Sequence, residues 1–448
     1  LLYVNRADAT IGPIASLLNR QLVLNDGVVS GGKFVLRETE RGTFNVKEIT
    51  DLLVNRNSKK PPFKVDIKSL KGTDIQFRMY RRAAPRDEGI DFANMCIDDI
   101  DVDMRDFKVV GSTVSSNILS LSCRERAGFE LDDLSGSFRV EVGKIFFDNI
   151  HMRTARSEAT VNYMVLDGND WLQYRDYINK VPMNGRISNC TLSSHDVGYF
   201  APALWGWNTT LYNITASMNG TVANFRGRLD HAELERGGTL RGSAKVVGLI
   251  DVEKTHFDIK VDELKASTNE ISYLLHNIAH LEIKGAAADY LSRVQRVDAS
   301  GAFRGTIHDF EVDARSRLGS GGSVAMKCSM DNPKQGKKGV TATLSGNDVD
   351  LKELLAQEIF GDASFAANVN MEFGDDEPIK LTGGCRVASV GFNRHDFKDV
   401  NVIADIENNR LVGSVASSDE ALVMSGRAVI DWSDSSAPLY DAMATIDH

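Results

Sequence analysis

From Ser137 to Arg153 the chain reads SFRVEVGKIFFDNIHMR, apolar and polar residues in alternation, and similar stretches return to its end. A period of two means β-strand, with successive side chains on opposite faces. In IDDIDVDMRDF, Ile100, Val102 and Met104 share one face while Asp101, Asp103 and Arg105 share the other. The same grouping joins Phe138, Val140 and Val142; Phe257, Ile259 and Val261; Phe310, Val312 and Ala314; Val369, Met371 and Phe373; and Val400, Val402, Ala404 and Ile406. One face is apolar and its reverse is charged, the pattern of an antiparallel sheet wetted on one side. Roughly twenty-five strands at about 4.8 Å spacing would give a sheet on the order of 120 Å long, far beyond the ten or so strands of an ordinary open sheet. Such a sheet must curl or fold over to hide its apolar face.

Composition supports a folded, mostly β chain. Of its 448 residues 42% are hydrophobic and 25% charged, and the 37 glycines against 9 prolines suit strands joined by glycine turns. A formal net charge of -10 argues against nucleic-acid binding, which needs a basic surface. No window approaches the roughly 18 continuous apolar residues of a membrane span, and no leader is visible. Both ends fall inside apparent strands, LLYVNRADATI and DAMATIDH, so the chain reads as a section of a longer protein whose anchor lies outside it. Cys96, Cys123, Cys190, Cys328 and Cys385 are odd in number, far apart and without a CxxC pair. Each reads as a small apolar strand residue, with a disulfide between neighbouring strands as the alternative.

The opening residues 1–60 mix strands with two helices, Pro13 to Gln21 and Lys47 to Arg56, around hairpin strands turning at Asn25-Asp26-Gly27 and Arg41-Gly42. NRNSKKPP, from Asn55 to Pro62, reads as a loop. Further helices are expected at Ser194 (SHDVGYFAPAL), Thr268 (TNEISYLLHNI) and Asn347 (NDVDLKELLAQEIF), about 75 residues apart, each following a strand. This weak period divides the remainder into sheet segments 61–180, 181–260, 261–340 and 341–448.

Motifs that could carry chemistry have plainer explanations. His276 and His280 stand at i and i+4 on a helix but lack a reliable third ligand, so they read as solvated residues near a helix end. The run Asp98, Asp99, Asp101, Asp103 and Asp106 has Ile, Val and Met between its members, where a calcium loop needs glycine and turning backbone, and reads as the outer face of a strand. LGSGGS, Leu318 to Ser323, is followed by a strand and reads as a hairpin turn rather than a phosphate loop. GxSxG is absent and no Ser, His and Asp set stands out. The sequons at Asn189, Asn208, Asn213 and Asn219 fall where Asn and Thr belong on the polar side of a strand. Neither catalytic residue nor cofactor is expected.

Three stretches carry a family resemblance. LLYVNRADATIGPIASLLNRQLVLNDGVVSGGKFVLRETERGTFNVKEITDLL gives a strand, a P-x-x-x-L-L helix, a hairpin and a G-x-x-N turn into a helix. LSLSCRERAGFELDDLSGSFRVEVGKIFFDNIHMRTARSEATVNY carries an S-x-x-E-x-x-G-F-x-L-x-x-L-x-x-x-F pattern, and NCTLSSHDVGYFAPAL a strand followed by a D-L-x-x-F-x-P-x-L-like run. With these the chain resembles the AsmA-like superfamily, specifically TamB-type periplasmic proteins of the Bacteroidota. The resemblance covers the chain in style and about a third of it in motifs, and transfers no catalytic residue. The anchor helix and carboxy-terminal domain typical of that type are absent from this sequence.

The resemblance implies a long U-shaped twisted antiparallel sheet, a β-taco with a few short helices, whose concave side is an apolar trough. It implies a periplasmic bridge anchored in the inner membrane, along which phospholipid acyl chains move while headgroups stay wet. The expected lining is Ile100, Val102, Met104, Phe138, Val140, Val142, Phe257, Ile259, Val261, Phe310, Val312, Val369, Met371, Phe373, Val402 and Ile406. Two other readings stand beside it: an assembly factor for outer-membrane proteins working with a BamA-like barrel, and a dry-core, adhesin-like β-solenoid.

Overall fold

In the computed structural model, the described residues are 2–14, 16, 19–40, 44–45, 64–82, 88–249, 251–279, 282–331, 337–374, 380–433 and 438–447. They form twenty-four strands and a few short helices, so the expectation of a mainly β chain holds. The fold divides between Glu235 and Arg236 into two units, each taken by itself below.

The first unit contains β1 (Leu2–Ile11), β2 (Gln21–Arg37), β3 (Lys64–Tyr80), β4 (Cys96–Val110), β5 (Thr113–Glu125), β6 (Glu130–Leu131), β7 (Asp133–Glu141), β8 (Lys144–Arg153), β9 (Glu158–Asp167), β10 (Met183–Ser193), β11 (Thr210–Gly220) and β12 (Asn224–Glu233). Neighbours pair antiparallel in chain order, with β5 taking both the two-residue β6 and β7. One pair departs from the antiparallel expectation: β2 and β3 run parallel, Leu24 beside Ile67 and Phe34 beside Phe77. Asn25-Asp26-Gly27 is not a turn either, since β2 continues through it as one 17-residue strand. Turn-type residues alone do not break a strand whose flanks both find partners, here β1 and β3.

The second unit contains β13 (Gly238–Val247), β14 (His256–Ser267), β15 (Arg296–Gly305), β16 (Phe310–Leu318), β17 (Ser323–Asp331), β18 (Lys337–Asp350), β19 (Phe360–Gly374), β20 (Lys380–Phe392), β21 (His395–Glu407), β22 (Arg410–Asp419), β23 (Leu422–Asp431) and β24 (Leu439–Ile446). Every consecutive pair is antiparallel. This is an uninterrupted meander, the simplest way for short turns to join one-sided strands. LGSGGS is the turn from β16 to β17, as read from sequence.

Helices punctuate the strand ends: α1 (Tyr177–Lys180), α2 (Ser194–Gly198), α3 (Thr268–Ala279), α4 (Ala286–Val294) and α5 (Leu351–Leu355). α1 and α4 were not expected. The helix read from Asn347 starts four residues later, because β18 runs on to Asp350, whose carboxylate caps Glu353 N at 2.9 Å. The helix read at Lys47 to Arg56 and the loop at Asn55 to Pro62 lie outside the described residues. Of the helix read at Pro13 to Gln21, residues 15, 17 and 18 also lie outside them, Ser16 is helical, and Gln21 already belongs to β2.

Bulges explain the acidic and Asn-rich runs better than a plain polar face does. Asp74, Asp99, Asp106, Asn149, Asn189, Asn213, Asp348 and Asp399 all lie within strands at positive φ near 50°. Short Asx side chains tolerate this left-handed backbone, and each extra residue shifts the face that later side chains occupy. Thus the register slips around Asn189 and Asn213 set Cys190 opposite Ile214, both buried in one cluster. Two of the four sequon asparagines are therefore bulge residues.

Candidate functional site

The second unit presents an extended apolar face. In register from β14 to β24 lie Ile259, Phe303, Val312, Cys328, Ala342, Val369, Gly383, Ala404, Gly413, Ala428 and Ala442. None is charged. The row on one side contains Phe257, Phe310, Met371 and Ile406, and the row on the other Val261, Met326, Leu344, Cys385 and Val402. The structure therefore gathers the lining residues expected in this unit onto three adjacent rows. Phe373 occupies its place in the backbone register opposite Lys338, but its side chain is outside the described ones.

Among the described residues no second layer covers this face over most of its length. On β15–β17 and β20–β24 no hydrophobic side chain is buried, while Met326, Leu344 and Val402 expose 38%, 36% and 38%. In-plane neighbours shield the flanks of such side chains, and only a covering layer could shield their tips. The buried apolar residues Ala266, Val294, Val349 and Ala363 lie instead on α4 or toward the strand ends that carry α3 and α5, and Val246 is buried on β13, opposite Phe257 at the first edge of the face. Arg293 of α4 ties that end together by donating from Nη1 to Leu354 O at 3.0 Å. Spread over eleven strands and three to four rows, the face measures about 50 Å by 20 Å, on the order of 1,000 Å². Soluble monomers rarely expose contiguous apolar patches beyond a few hundred Å², and larger ones mark binding surfaces.

The reverse face carries the charge. Asp258 meets Arg304 at 3.4 Å, Asp313 meets Lys327 at 3.6 Å, and Lys260 meets Asp262 at 2.7 Å. The first two are cross-strand pairs and the third runs along β14; exposed pairs of this kind add only tenths of a kcal/mol each, but a one-residue slip would turn the charges onto the apolar side, so they fix the register.

In the first unit the apolar face is partly roofed. Residues 171–182 lie across it: Val181, Tyr174 and Tyr177 pack with Ile145, Phe147, Met164, Leu166, Met183 and Met218. The Tyr174 hydroxyl donates to Gly143 O at 3.1 Å. Burial, with Tyr177 and Asp167 nearby, pushes its pKa up to about 12, so the phenol stays a donor across the physiological range. Elsewhere Ile90 and Phe129 close over Leu121, Leu131 and Leu134. Val102 faces Gly72 and Leu121, Met104 faces Leu70 and Ile118, and Ile100 faces Ile75. Phe138 sits opposite Phe147 and Val140 opposite Ile145, both half-buried. Val142 occupies the turn between β7 and β8, 46% exposed.

No family model, curated protein or solved structure matches this chain. The site therefore rests on its own residues. Sequence reasoning missed Phe303, Cys328 and Cys385 on the same rows, although GAFRG and SVAMKCSM carry the alternation that places them. All five cysteines are free thiols. Burial raises the pKa of Cys328 and Cys385, as expected for thiols set in an apolar surface. His276 lies 3.6 Å from the Glu282 carboxylate, and His280 is outside the described residues. Among the described residues no helix is long and apolar enough to cross a membrane.

Proposed function

We propose that this chain is a lipid-carrying segment of TamB type, non-enzymatic and periplasmic, whose apolar face shelters phospholipid acyl chains during passage between inner and outer membrane. The single observation that carries the reading is the apolar face of β14–β24, uncovered over most of its length among the described residues. Its width of three to four rows suits extended hydrocarbon, and its lack of charged or pocketed side chains suits a ligand held by non-directional contact. Each methylene kept from water is worth about 0.8 kcal/mol, so a continuous apolar path lowers the cost of moving a chain along it. Where strands curl, the face becomes the trough that the family resemblance implies, with headgroups toward solvent and delivery to a BamA-like barrel as one destination.

A specific observation favours a second reading for part of the molecule. The roof of residues 171–182 makes a local dry core, as a solenoid would have. The two are separated by native mass spectrometry of the gently extracted protein. Retained phospholipid supports the carrier, and a lipid-free spectrum at every extraction condition supports a structural solenoid.

A further inference from the structure

The roof of the first unit uses more chain than its topology requires. β9 ends at Asp167 and β10 begins at Met183, neighbouring antiparallel strands that a turn of two to five residues would join. Residues 168–182 join them instead, and connections of such length between paired strands often serve as lids or binding loops. They leave the strand end, lie back over the apolar face and return.

Two rows of the sheet lie beneath this strap: Ile145, Leu166 and Met183 in one, and Phe147, Met164, Gly185 and Met218 in the other. Val140 and Phe138 of β7 stand at the head of the same two rows. The strap therefore sits where an acyl chain following those rows would lie. Met164, Met183 and Met218 are unbranched and polarisable, the kind of side chain that refills a surface when its occupant changes. Met164 Cε already lies over the backbone of Gly185, 3.3 Å from where a Cβ would stand.

Much of the strap is closed on itself. The Asp170 carboxylate accepts from Leu172 N and Gln173 N at 2.8 and 3.0 Å, Trp171 packs on Tyr174 at 5.3 Å between ring centroids, and Asn179 Nδ2 donates to Asp176 at 2.6 Å. Its middle is tied to the sheet through the Tyr174 hydroxyl on Gly143 O at 3.1 Å, the Tyr177 hydroxyl on Met183 Sδ at 3.0 Å, and Ala223 N donating to Ile178 O at 3.0 Å. Tyr177 also meets Phe92, ring centroids 5.3 Å apart. Thioether sulfur is a weak acceptor, and hydroxyl and carbonyl groups freed by lifting are rehydrated, so these ties cost little to exchange for water.

We propose that residues 169–181 are a displaceable strap that occupies the acyl-chain path of the first unit and lifts when hydrocarbon takes its place on Phe147, Met164 and Met218. Both occupants offer those side chains the same non-directional contact, so the sheet keeps its apolar burial when one replaces the other. The proposal rests on the lipid-carrier reading and gives that path a gate within this unit.

The test uses the whole chain, with a photoreactive side chain at Phe147 or at Val312, incubated with phosphatidylethanolamine vesicles. Replacing residues 168–181 by Asn-Gly, a two-residue hairpin turn, should raise phospholipid capture at Phe147 severalfold and leave capture at Val312 unchanged. Hydrogen exchange of the unaltered chain needs no substitution and decides the matter where the shortened chain fails to fold. The Ala223 amide, held by Ile178 O, should exchange roughly tenfold faster with the vesicles than without them. Capture at Val312 but not at Phe147 in the shortened chain, or Ala223 exchange unchanged or slowed by lipid, overturns the strap and leaves the carrier standing. Capture at neither position overturns both.

Discussion

Phe303 of β15 stacks on Phe310 of β16, ring centroids 5.3 Å apart and planes at 27°. The register sets Phe303 opposite Val312 and Phe310 opposite Gly305, so the contact is diagonal, and Phe257 reaches Phe303 from β14 at 6.4 Å. Gly305 cannot be replaced there, because at φ +125° a Cβ would strike Asp309 O. Three half-buried rings thus tile the start of the open face. Phe303→Ala should cost about 1–2 kcal/mol by urea denaturation, below the 3–5 kcal/mol of a buried phenylalanine. A larger loss would mean that another layer covers these rings.

Val312 and Ile214 are both β-branched strand residues, but only Ile214 is buried, at 5% exposure among Ala159, Cys190 and Ala232. Ile214→Ala should therefore cost about 2–4 kcal/mol and leave lipid content unchanged. Val312→Asp should cost less than about 2 kcal/mol, because its charge stays hydrated, while lowering bound lipid. Equal destabilisation by both would show that Val312 is core.

Asn213 is held at φ 49° in the β11 bulge. Asn213→Gly should be close to neutral, whereas Asn213→Val should cost about 1–3 kcal/mol in chemical denaturation. Indifference to valine would mean that the bulge relaxes into regular strand.

The Asp419 carboxylate accepts from Ala421 N at 2.8 Å, His395 Nε2 at 3.0 Å and Lys398 N at 2.9 Å. These bonds, that from Ala421 foremost, lower its pKa to about 2. In an unfolded chain it would titrate near pH 4. The group therefore stabilises the fold above about pH 4, and that contribution is lost as pH falls through about 2. Urea midpoints measured from pH 6 to pH 2 should fall less steeply for Asp419→Asn than for wild type.

Strand identity and the apolar face were legible in the sequence because alternation is a local signal, and Phe257, Ile259, Val312 and Val369 fall in adjacent rows once the strands pair. Bulges were not legible. Asp99 and Asp106 look like ordinary outward carboxylates until the partner strand shows the extra residue. The roof over the first unit was hidden for a related reason, since Tyr174, Tyr177 and Val181 carry no long helical period and gain their role only from the sheet beneath them. Likewise, the parallel pairing of β2 with β3 depends on a long-range choice that local turn chemistry misread.

The central claim, that the face of β14–β24 holds acyl chains, is tested most directly by photo-crosslinking in cells. A photoreactive side chain would be placed in turn at Ile259, Val312, Val369 and Ala428 along one row, and at Lys260 and Asn370 on the reverse face. Phospholipid captured at all four row positions and at neither reverse position is the expected result. Capture nowhere on the row, or equally on both faces, would contradict it.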